Sequence, residues 1–255
     1  MMTQQPFYTT LKERGLIKIS GIKSKEFLQG LITNDINFLD NKDCIYACLL
    51  SPQGKFMFDF FITQDNEKNL LLDCEGKERS LNLAKTLNMY KLRIDIDISV
   101  NENTEIYSIF GSDRFGYKDP RHKDMGYRSF TKPQNLDEKS FDEWDKHRIS
   151  LTIPDGSRDL IVNKSTMDEG NIDNINAVSY DKGCYIGQEI TARMHYRGLG
   201  KKHLYTIQTS NLNIDKFPER LEPIYNEQTT IGEMRSSCGY IGIALLKDEW
   251  AIKSL

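Results

Sequence analysis

The chain has 255 residues, of which 38% are hydrophobic and 28% charged, a composition typical of a globular protein with one large or two modest domains. Its formal net charge of −3 provides no general attraction to nucleic acid or to an anionic membrane, and no apolar run is long enough to span a bilayer. The N-terminus has no apolar signal core, and the five cysteines lack the spacing of a disulfide framework. We therefore expect reduced thiols and a cytoplasmic location, without nucleic-acid or membrane partners.

The first hundred residues alternate strands with two helices. Ser24 is predicted to cap the first helix, and residues 77–90 form the second. The predicted apolar face of the second helix comprises Leu81, Ala84, Leu87 and Tyr90. Apolar runs or strict alternation predict strands at residues 16–20, 44–50, 55–63, 70–73 and 92–100, with a hairpin turn at 51–54. This order predicts an α+β fold that contains a split βαβ, ferredoxin-like unit.

The second half of the chain is more polar. A strand is expected at residues 105–111, and a short helix is expected around Trp144. Short β-like segments at 204–209, 229–234 and 240–246 predict a small C-terminal β-barrel. The predicted domains are a core of residues 1–199, subdomains at 13–100 and 101–199 within it, and a C-terminal module at 200–255.

The densest group of chemically active side chains is the segment KGCYIGQEITAR at residues 182–193. Its two glycines permit a tight turn, and a short helix is predicted to begin at Gln188. Cys184 then precedes a helix N-terminus and lies two residues from Lys182, and both features favour the thiolate. A tight turn with a packed cysteine is the alternative interpretation.

A basic cluster follows the segment, with Arg193 and Arg197 near Lys201 and Lys202. It is either a solvated surface or an anion site suited to carboxylates. Cys44 and Cys48 lie about 13 Å apart if they share a strand, which is too far for one zinc ion, so we expect no metal site.

The segment at 182–193 resembles the signature of the YgfZ-like branch of the glycine-cleavage T-protein superfamily. Further similar stretches are residues 27–35, 50–55, 119–121, 126–128, 153–156, 169–173 and 239–246. The resemblance implies a ring-like arrangement around a central tetrahydrofolate pocket, followed by the C-terminal barrel. It also implies a role in assembly or repair of iron–sulfur proteins, especially 4Fe–4S enzymes, with client or assembly proteins as partners.

The resemblance also suggests site residues. Cys184 and Lys182 are the candidate catalytic groups. The candidate folate contacts are Asn34, Asp59, Glu169, Tyr185, Gln188, Glu189 and Arg193. Asp59 interrupts the apolar run FMFDFF, where a buried carboxylate needs a partner or a ligand such as the N–H groups of a pterin. The alternative is a strand residue that points outward.

One position separates this chain from the aminomethyltransferases it resembles. Those enzymes carry two adjacent aspartates where this sequence has Phe58 and Asp59. Loss of one carboxylate argues against aminomethyl transfer but leaves folate binding intact. A folate-dependent one-carbon transferase and a folate-binding adaptor without chemistry remain the alternatives, and the sequence leaves open whether the chain is an enzyme.

Overall fold

A computed structural model describes residues 5–101, 103–113, 115–198 and 200–254, which form three β-sheets with helices packed between them. The strands are β1 (Phe7–Thr10), β2 (Arg14–Ser20), β3 (Cys44–Leu50), β4 (Phe56–Gln64), β5 (Leu70–Glu75), β6 (Asp97–Asn101), β7 (Tyr107–Phe110), β8 (Tyr117–Lys118), β9 (Tyr127–Ser129), β10 (Asp137–Glu138), β11 (Lys202–Gln208), β12 (Pro223–Asn226), β13 (Thr229–Cys238) and β14 (Ile241–Lys247). The α-helices are α1 (Ser24–Gln29), α2 (Glu78–Lys91), α3 (Phe141–Ser150), α4 (Gly156–Asp159), α5 (Gln188–Arg197), α6 (Thr209–Leu212) and α7 (Asp248–Ser254), and 3-10 helices span Ile36–Asp40 and Asp173–Ile175. In this part of the chain, no helix is both long and apolar enough to cross a membrane. Leu199, at the predicted domain boundary, lies outside the described residues.

The N-terminal sheet has the antiparallel strand order β3-β4-β5-β2-β6. Its last four strands, with α1 and α2 as crossovers, have the order of a split βαβ unit, and β3 extends the sheet at one edge. The strand predicted at residues 92–100 begins only at Asp97, because β2 offers pairing partners from Asp97 to Asn101. Leu92 instead has a positive φ and an exposed side chain, so the first half of that prediction is wrong.

Two further details of the helices correct the sequence predictions. Ser24 is the first residue of α1 and not its cap, and its hydroxyl donates to the carbonyl of Gly21 at 2.7 Å. On α2, Leu81 is exposed and Leu83 is buried together with Ala84 and Leu87. The buried face is therefore rotated relative to the one predicted from spacing.

The β3–β4 hairpin separates two hydrophobic cores. Every residue of β3 is buried, because alternate side chains face opposite cores. Tyr46 and Phe61 belong to the core at the centre of the molecule. Ile45 and Phe60 belong to the core that also contains Leu87 of α2. Burial on both faces explains why these strands are continuous apolar runs, and it points Asp59 toward the centre, since Asp59 is paired with Cys48.

The other two sheets complete the molecule. The middle sheet has the order β10-β1-β7-β9-β8, so the N-terminal strand β1 joins strands from the second hundred residues. The C-terminal sheet has the order β11-β14-β13-β12, and its edge strands β11 and β12 do not pair with each other. A closed barrel requires that pairing. The predicted C-terminal barrel is therefore not confirmed, and the described residues form an open four-stranded sheet.

Candidate functional site

A cavity of about 420 Å³ opens where the N-terminal sheet meets α2, α3 and α4. This volume is in the range of small-molecule sites. Its wall combines acidic, basic and aromatic side chains, which suits a flat heteroaromatic ligand with charged groups. We call it the central cavity, and its lining residues are Leu11, Glu13, Arg14, Glu75, Gly76, Lys77, Glu78, Arg79, Phe141, Trp144, Asp155, Ser157 and Arg158.

The Glu75 carboxylate connects α2 to α4 at the wall of the central cavity. It is the last residue of β5, and its Oε2 accepts a hydrogen bond from Arg79 Nε of α2 at 2.5 Å. Its Oε1 accepts from the backbone N–H of Ser157 in α4 at 2.5 Å. Arg79 also donates to the carbonyl of Met57, so the carboxylate and guanidinium are both fixed in place.

Asp59 lies behind this wall, with 2% of its surface exposed. Its Oδ2 accepts from the hydroxyl of Tyr46 at 2.8 Å, and its Oδ1 has no hydrogen-bond partner among the described atoms. Burial, reinforced by the charge of Glu75, raises the pKa of Asp59 from 3.8 to about 6. The structure thus excludes an outward-facing Asp59 and leaves one buried oxygen free to accept a hydrogen bond.

Gly156 allows α4 to approach both carboxylates. Its φ is +46°, and a Cβ at this position would lie 2.3 Å from Glu75 Oε1 and 2.8 Å from Asp59 Oδ1. Any larger residue would therefore push α4 away from the carboxylates.

Trp144 lines the central cavity and also carries a buried N–H group. Its side chain is buried, yet its Nε1 has no hydrogen-bond partner among the described atoms. Most buried indole N–H groups are bonded, so an unpaired one in a residue that lines a cavity is unusual.

Arg14 is held at the cavity wall by a buried ion network. Its Nε donates to Asp73 Oδ1 at 2.7 Å, and the other oxygen of Asp73 accepts from Arg128 Nη2 at 2.5 Å. Arg128 belongs to β9 of the middle sheet, and its guanidinium lies 4.0 Å from the ring centroid of Phe61. The network therefore fixes a cation of the site and joins two sheets.

A second network supports the opposite wall. Arg158 Nη1 donates to Asp155 Oδ2 at 2.9 Å, and Arg148 Nη1 donates to Asp159 Oδ2 at 2.6 Å. Arg148 also reaches Ser236 of β13, which connects the C-terminal sheet. Burial opposes ionisation of Asp155, but Arg148 and Arg158 outweigh it and hold the pKa of that carboxyl below its ordinary value.

The glycine-rich signature lies apart from the residues that line the central cavity. The Lys182 ammonium donates to the carbonyls of Gln29, Ile32 and Asn34 at 2.7, 2.7 and 2.8 Å, and burial lowers its pKa to about 8. Lys182 thus anchors the signature loop to the segment that follows α1. Cys184 is exposed, whereas the other four cysteines are buried.

The remaining predicted folate contacts are dispersed. Asn34 donates to the carbonyls of Tyr46 and Asn176 and borders a second cavity of about 400 Å³. Three others also take part in internal contacts: Glu169 accepts from Thr166, Gln188 accepts from the Tyr185 N–H, and Tyr185 is buried in the central core. Glu189 and Arg193 are exposed on α5.

Sequence reasoning missed most of the cavity wall. Glu75 and Arg14 are unremarkable charged residues at strand ends, and nothing in the sequence indicates that they face each other. Asp155 was noted only within the family-like stretch 153–156, and α4 begins at the end of that stretch. Trp144 was assigned to the correct helix, without any sign that its N–H would be unpaired.

Comparisons with known proteins identify relatives over most of the chain. No protein-family model matches. The human protein "Iron-sulfur cluster assembly factor IBA57, mitochondrial" is 28% identical, over 94% of this chain and 77% of its own length. The homologue from Dictyostelium discoideum is 31% identical, over 80% of this chain and 63% of its own length. The homologue from Pyricularia oryzae is 29% identical, and the chain spans only 60% of it.

A solved structure shares the fold. The glycine cleavage system aminomethyltransferase T from Bartonella henselae matches 96% of this chain and 79% of its own, with a TM-score of 0.67 and 13% identity. The curated relatives are named as mitochondrial proteins, which contradicts the cytoplasmic location that we expected. The resemblance expected from the sequence is confirmed: the chain is similar to the IBA57 iron–sulfur cluster assembly factors, relatives of the YgfZ-like type, and it shares the fold of the glycine-cleavage aminomethyltransferase T.

Proposed function

We propose that this chain binds tetrahydrofolate in the central cavity and supports the assembly or repair of iron–sulfur proteins, including 4Fe–4S enzymes. The observation that carries the folate part is a cavity of about 420 Å³ that is lined by the fixed Glu75 carboxylate and by the aromatic residues Phe141 and Trp144. The names of the relatives support the iron–sulfur part.

The residues of the cavity fit the chemistry of a reduced folate. A pterin offers N–H donors, which suit the carboxylates of Glu75 and Asp155, and ring acceptors, which suit the Trp144 N–H. The guanidinium groups of Arg14 and Arg79 are engaged by Asp73 and Glu75, so they hold the acidic wall of the cavity in place. When bound, tetrahydrofolate would supply a carrier for one-carbon units, while these side chains bind and orient it.

Asp59 has one carboxylate oxygen that could accept a further hydrogen bond. Its unpaired Oδ1 lies against Gly156, directly behind Glu75. An acceptor in a place with little water is worth more than one at the surface, because the competing solvent is absent. We therefore keep Asp59 as a folate-binding residue, with Glu75 as the carboxylate that lines the cavity.

Cys184 is the thiol available for iron–sulfur chemistry with a client or assembly protein. It is exposed on a loop that Lys182 anchors, and thiolate sulfur is the common protein ligand of iron–sulfur clusters. In this proposal Lys182 positions the loop and takes no part in chemistry.

Calorimetry with tetrahydrofolate tests the folate part. We expect Glu75→Gln and Asp59→Ala to weaken binding about ten- to a hundred-fold, the effect of removing a charged acceptor. Glu26→Gln on the exposed surface of α1 serves as the matched control and should bind like the parent chain. Absence of folate binding by the parent chain refutes the folate part, and unchanged affinity in both cavity variants refutes this location.

A complementation assay tests the iron–sulfur part. In cells that lack their own factor, the parent chain should restore the activity of a 4Fe–4S enzyme, and Cys184→Ser should not. Full restoration by the serine variant would assign Cys184 a structural role and favour an adaptor without chemistry.

A further inference from the structure

The outward face of α5 carries the two arginines of the basic cluster that the sequence indicated. Glu189, Arg193, Tyr196 and Arg197 are exposed and are spaced to lie on one side of the helix, while Thr191 is buried on the other side. We call these four exposed residues the α5 face. Within the part of the chain that the structure describes, neither arginine side chain forms an ion pair or a hydrogen bond. Both guanidinium groups are therefore available to an external anion.

The positive charge continues into the start of β11. Lys201 and Lys202 are exposed there, and among the described residues their ammonium groups form no ion pair either. Arg193 and Arg197 are four residues apart on the helix, a spacing at which like charges repel each other. Glu189 is the one carboxylate of the α5 face, so this surface is positive in a chain whose formal net charge is −3. An acidic counterpart would relieve the repulsion, and charge complementarity therefore favours a partner rich in carboxylates.

An ordered group of aromatic rings borders these charges. Tyr196 is 71% exposed, yet its ring lies edge-on to those of Tyr180 and His195, with centroids 5.8 and 5.1 Å away. Tyr180 and His195 stack at 3.8 Å, and Asp173 Oδ2 lies 3.1 Å from His195 Nδ1 and accepts from the Tyr180 hydroxyl at 3.4 Å. The rings are therefore held in place before any partner binds, which reduces the entropy lost on binding. Tyrosine and arginine are also enriched among the residues that dominate the binding energy of protein interfaces.

The α5 face follows the exposed thiol in the chain. Cys184 lies in the loop that leads into α5, which begins at Gln188. We propose that the α5 face docks a carboxylate-rich surface of a partner protein and so brings that protein to Cys184. The class of partner, an iron–sulfur client or assembly protein, rests on the proposed function, whereas the docking surface for acidic groups does not. A protein is favoured over a nucleic acid because the formal net charge of the whole chain is negative.

Fluorescence anisotropy with two labelled peptides tests the docking surface. One peptide alternates glutamate with leucine and the other alternates glutamine with leucine, so the two differ only in charge. We expect the parent chain to bind the glutamate peptide about tenfold more tightly, and this preference to decrease as the salt concentration rises. Arg193→Gln combined with Arg197→Gln should reduce the preference to about one, and Tyr196→Ala should weaken the binding of both peptides roughly tenfold. Lys85→Gln combined with Arg93→Gln removes the same charge from exposed positions on α2 and just after it, and this matched control should keep the full preference.

Two outcomes of the peptide titration overturn the docking surface: equal affinity of the parent chain for the two peptides, including no binding of either, and an unchanged preference in the double arginine variant. A labelled oligothymidylate tests the class of partner. If it binds more tightly than the glutamate peptide and displaces it, the surface binds nucleic acid and the protein partner is refuted. If it does not displace the peptide, the result supports a protein partner.

The complementation assay tests the docking surface in cells. The double arginine variant should restore less 4Fe–4S enzyme activity than the parent chain, whereas the matched control should restore it fully. Full restoration by the double arginine variant overturns the docking of a partner on the α5 face. If the parent chain itself restores no activity, the proposed function fails instead, and the peptide titration still decides whether the α5 face binds acidic groups.

Discussion

The buried carboxylate of Asp59 makes the stability of this protein depend on pH in a defined direction. Burial, and then the charge of Glu75, raise its pKa from 3.8 to about 6. A carboxyl whose pKa is higher in the folded state stabilises the fold in its protonated form. The protonated carboxyl contributes fully to stability below the pKa that Asp59 has in the unfolded chain. The contribution is lost as the pH rises through the pKa that Asp59 has in the folded protein. A difference of about two pH units corresponds to roughly 3 kcal/mol of unfolding free energy.

The substitution Asp59→Asn isolates this contribution. Asparagine keeps an acceptor for the Tyr46 hydroxyl and cannot ionise. We expect the variant to be more stable than the parent chain by up to about 3 kcal/mol at pH 7, and the gap to close toward pH 4. Urea unfolding at half-unit steps between pH 4 and pH 7.5 measures it, with the exposed Asp97→Asn as control. A gap that stays constant from pH 5 to pH 7 would refute the reasoning, because Asp59 would then not titrate in that range.

The same carboxyl would give the proposed folate binding a measurable release of protons. A ligand N–H donated to the ionised form lowers the pKa of Asp59, so binding near pH 6 should release up to about half a proton. Calorimetry in two buffers with different heats of ionisation measures this release. The parent chain should show it and Asp59→Asn should not; equal release by both would assign the proton to another group.

Three further predictions concern the signature loop. Maleimide should label Cys184 alone in the native protein, since the other cysteines are buried, and Cys184→Ser should remove the labelling; a second labelled thiol would contradict this. Lys182→Met leaves three carbonyls without their donor and should lower the unfolding free energy by roughly 1–3 kcal/mol, whereas an unchanged urea midpoint would show that water replaces the ammonium. Gly187→Ala should cost about 1–3 kcal/mol, because φ is +82° and the new Cβ would lie 2.5 Å from the Ser51 carbonyl. Gly183→Ala, with open space around it, is the matched control, and equal urea midpoints for both glycine variants would contradict the steric argument.

Local sequence patterns correctly predicted those strands and turns that depend only on neighbouring residues. The β3–β4 hairpin follows from two apolar runs around a turn, and both strands form within one residue of the predicted bounds. The strand predicted at residues 92–100 begins too early. Alternation of apolar and polar residues shows which residues could form a strand, but it does not show where the neighbouring strand β2 offers pairing partners. The shift of the α2 face from Leu81 to Leu83 has a similar origin, since tertiary packing selects the buried side of the helix.

The candidate site could be predicted only in part, because its contacts join distant parts of the chain. Asp59 was singled out because it is a charge in an apolar strand, and the structure shows that it is buried, while its contact with folate stays a prediction. The bond from Ser157 to Glu75 spans 82 residues, and no local pattern encodes it. The signature drew attention to Lys182 as a reactive group, but its ammonium is used by three carbonyls that the sequence could not place nearby.

The buried ion pairs explain how a cavity persists where the N-terminal sheet meets α2, α3 and α4. Apolar side chains at that junction would pack together and close it. Asp73 instead fixes Arg14 of the N-terminal sheet to Arg128 of the middle sheet. Arg148 similarly joins α3 to Ser236 of the C-terminal sheet. Removal of one partner of such a pair leaves a buried charge without compensation and lowers the unfolding free energy by about 3–5 kcal/mol. The ion pairs therefore hold the sheets at defined positions. Because Arg14 also lines the cavity, assembly of the sheets and formation of the site depend on the same charges.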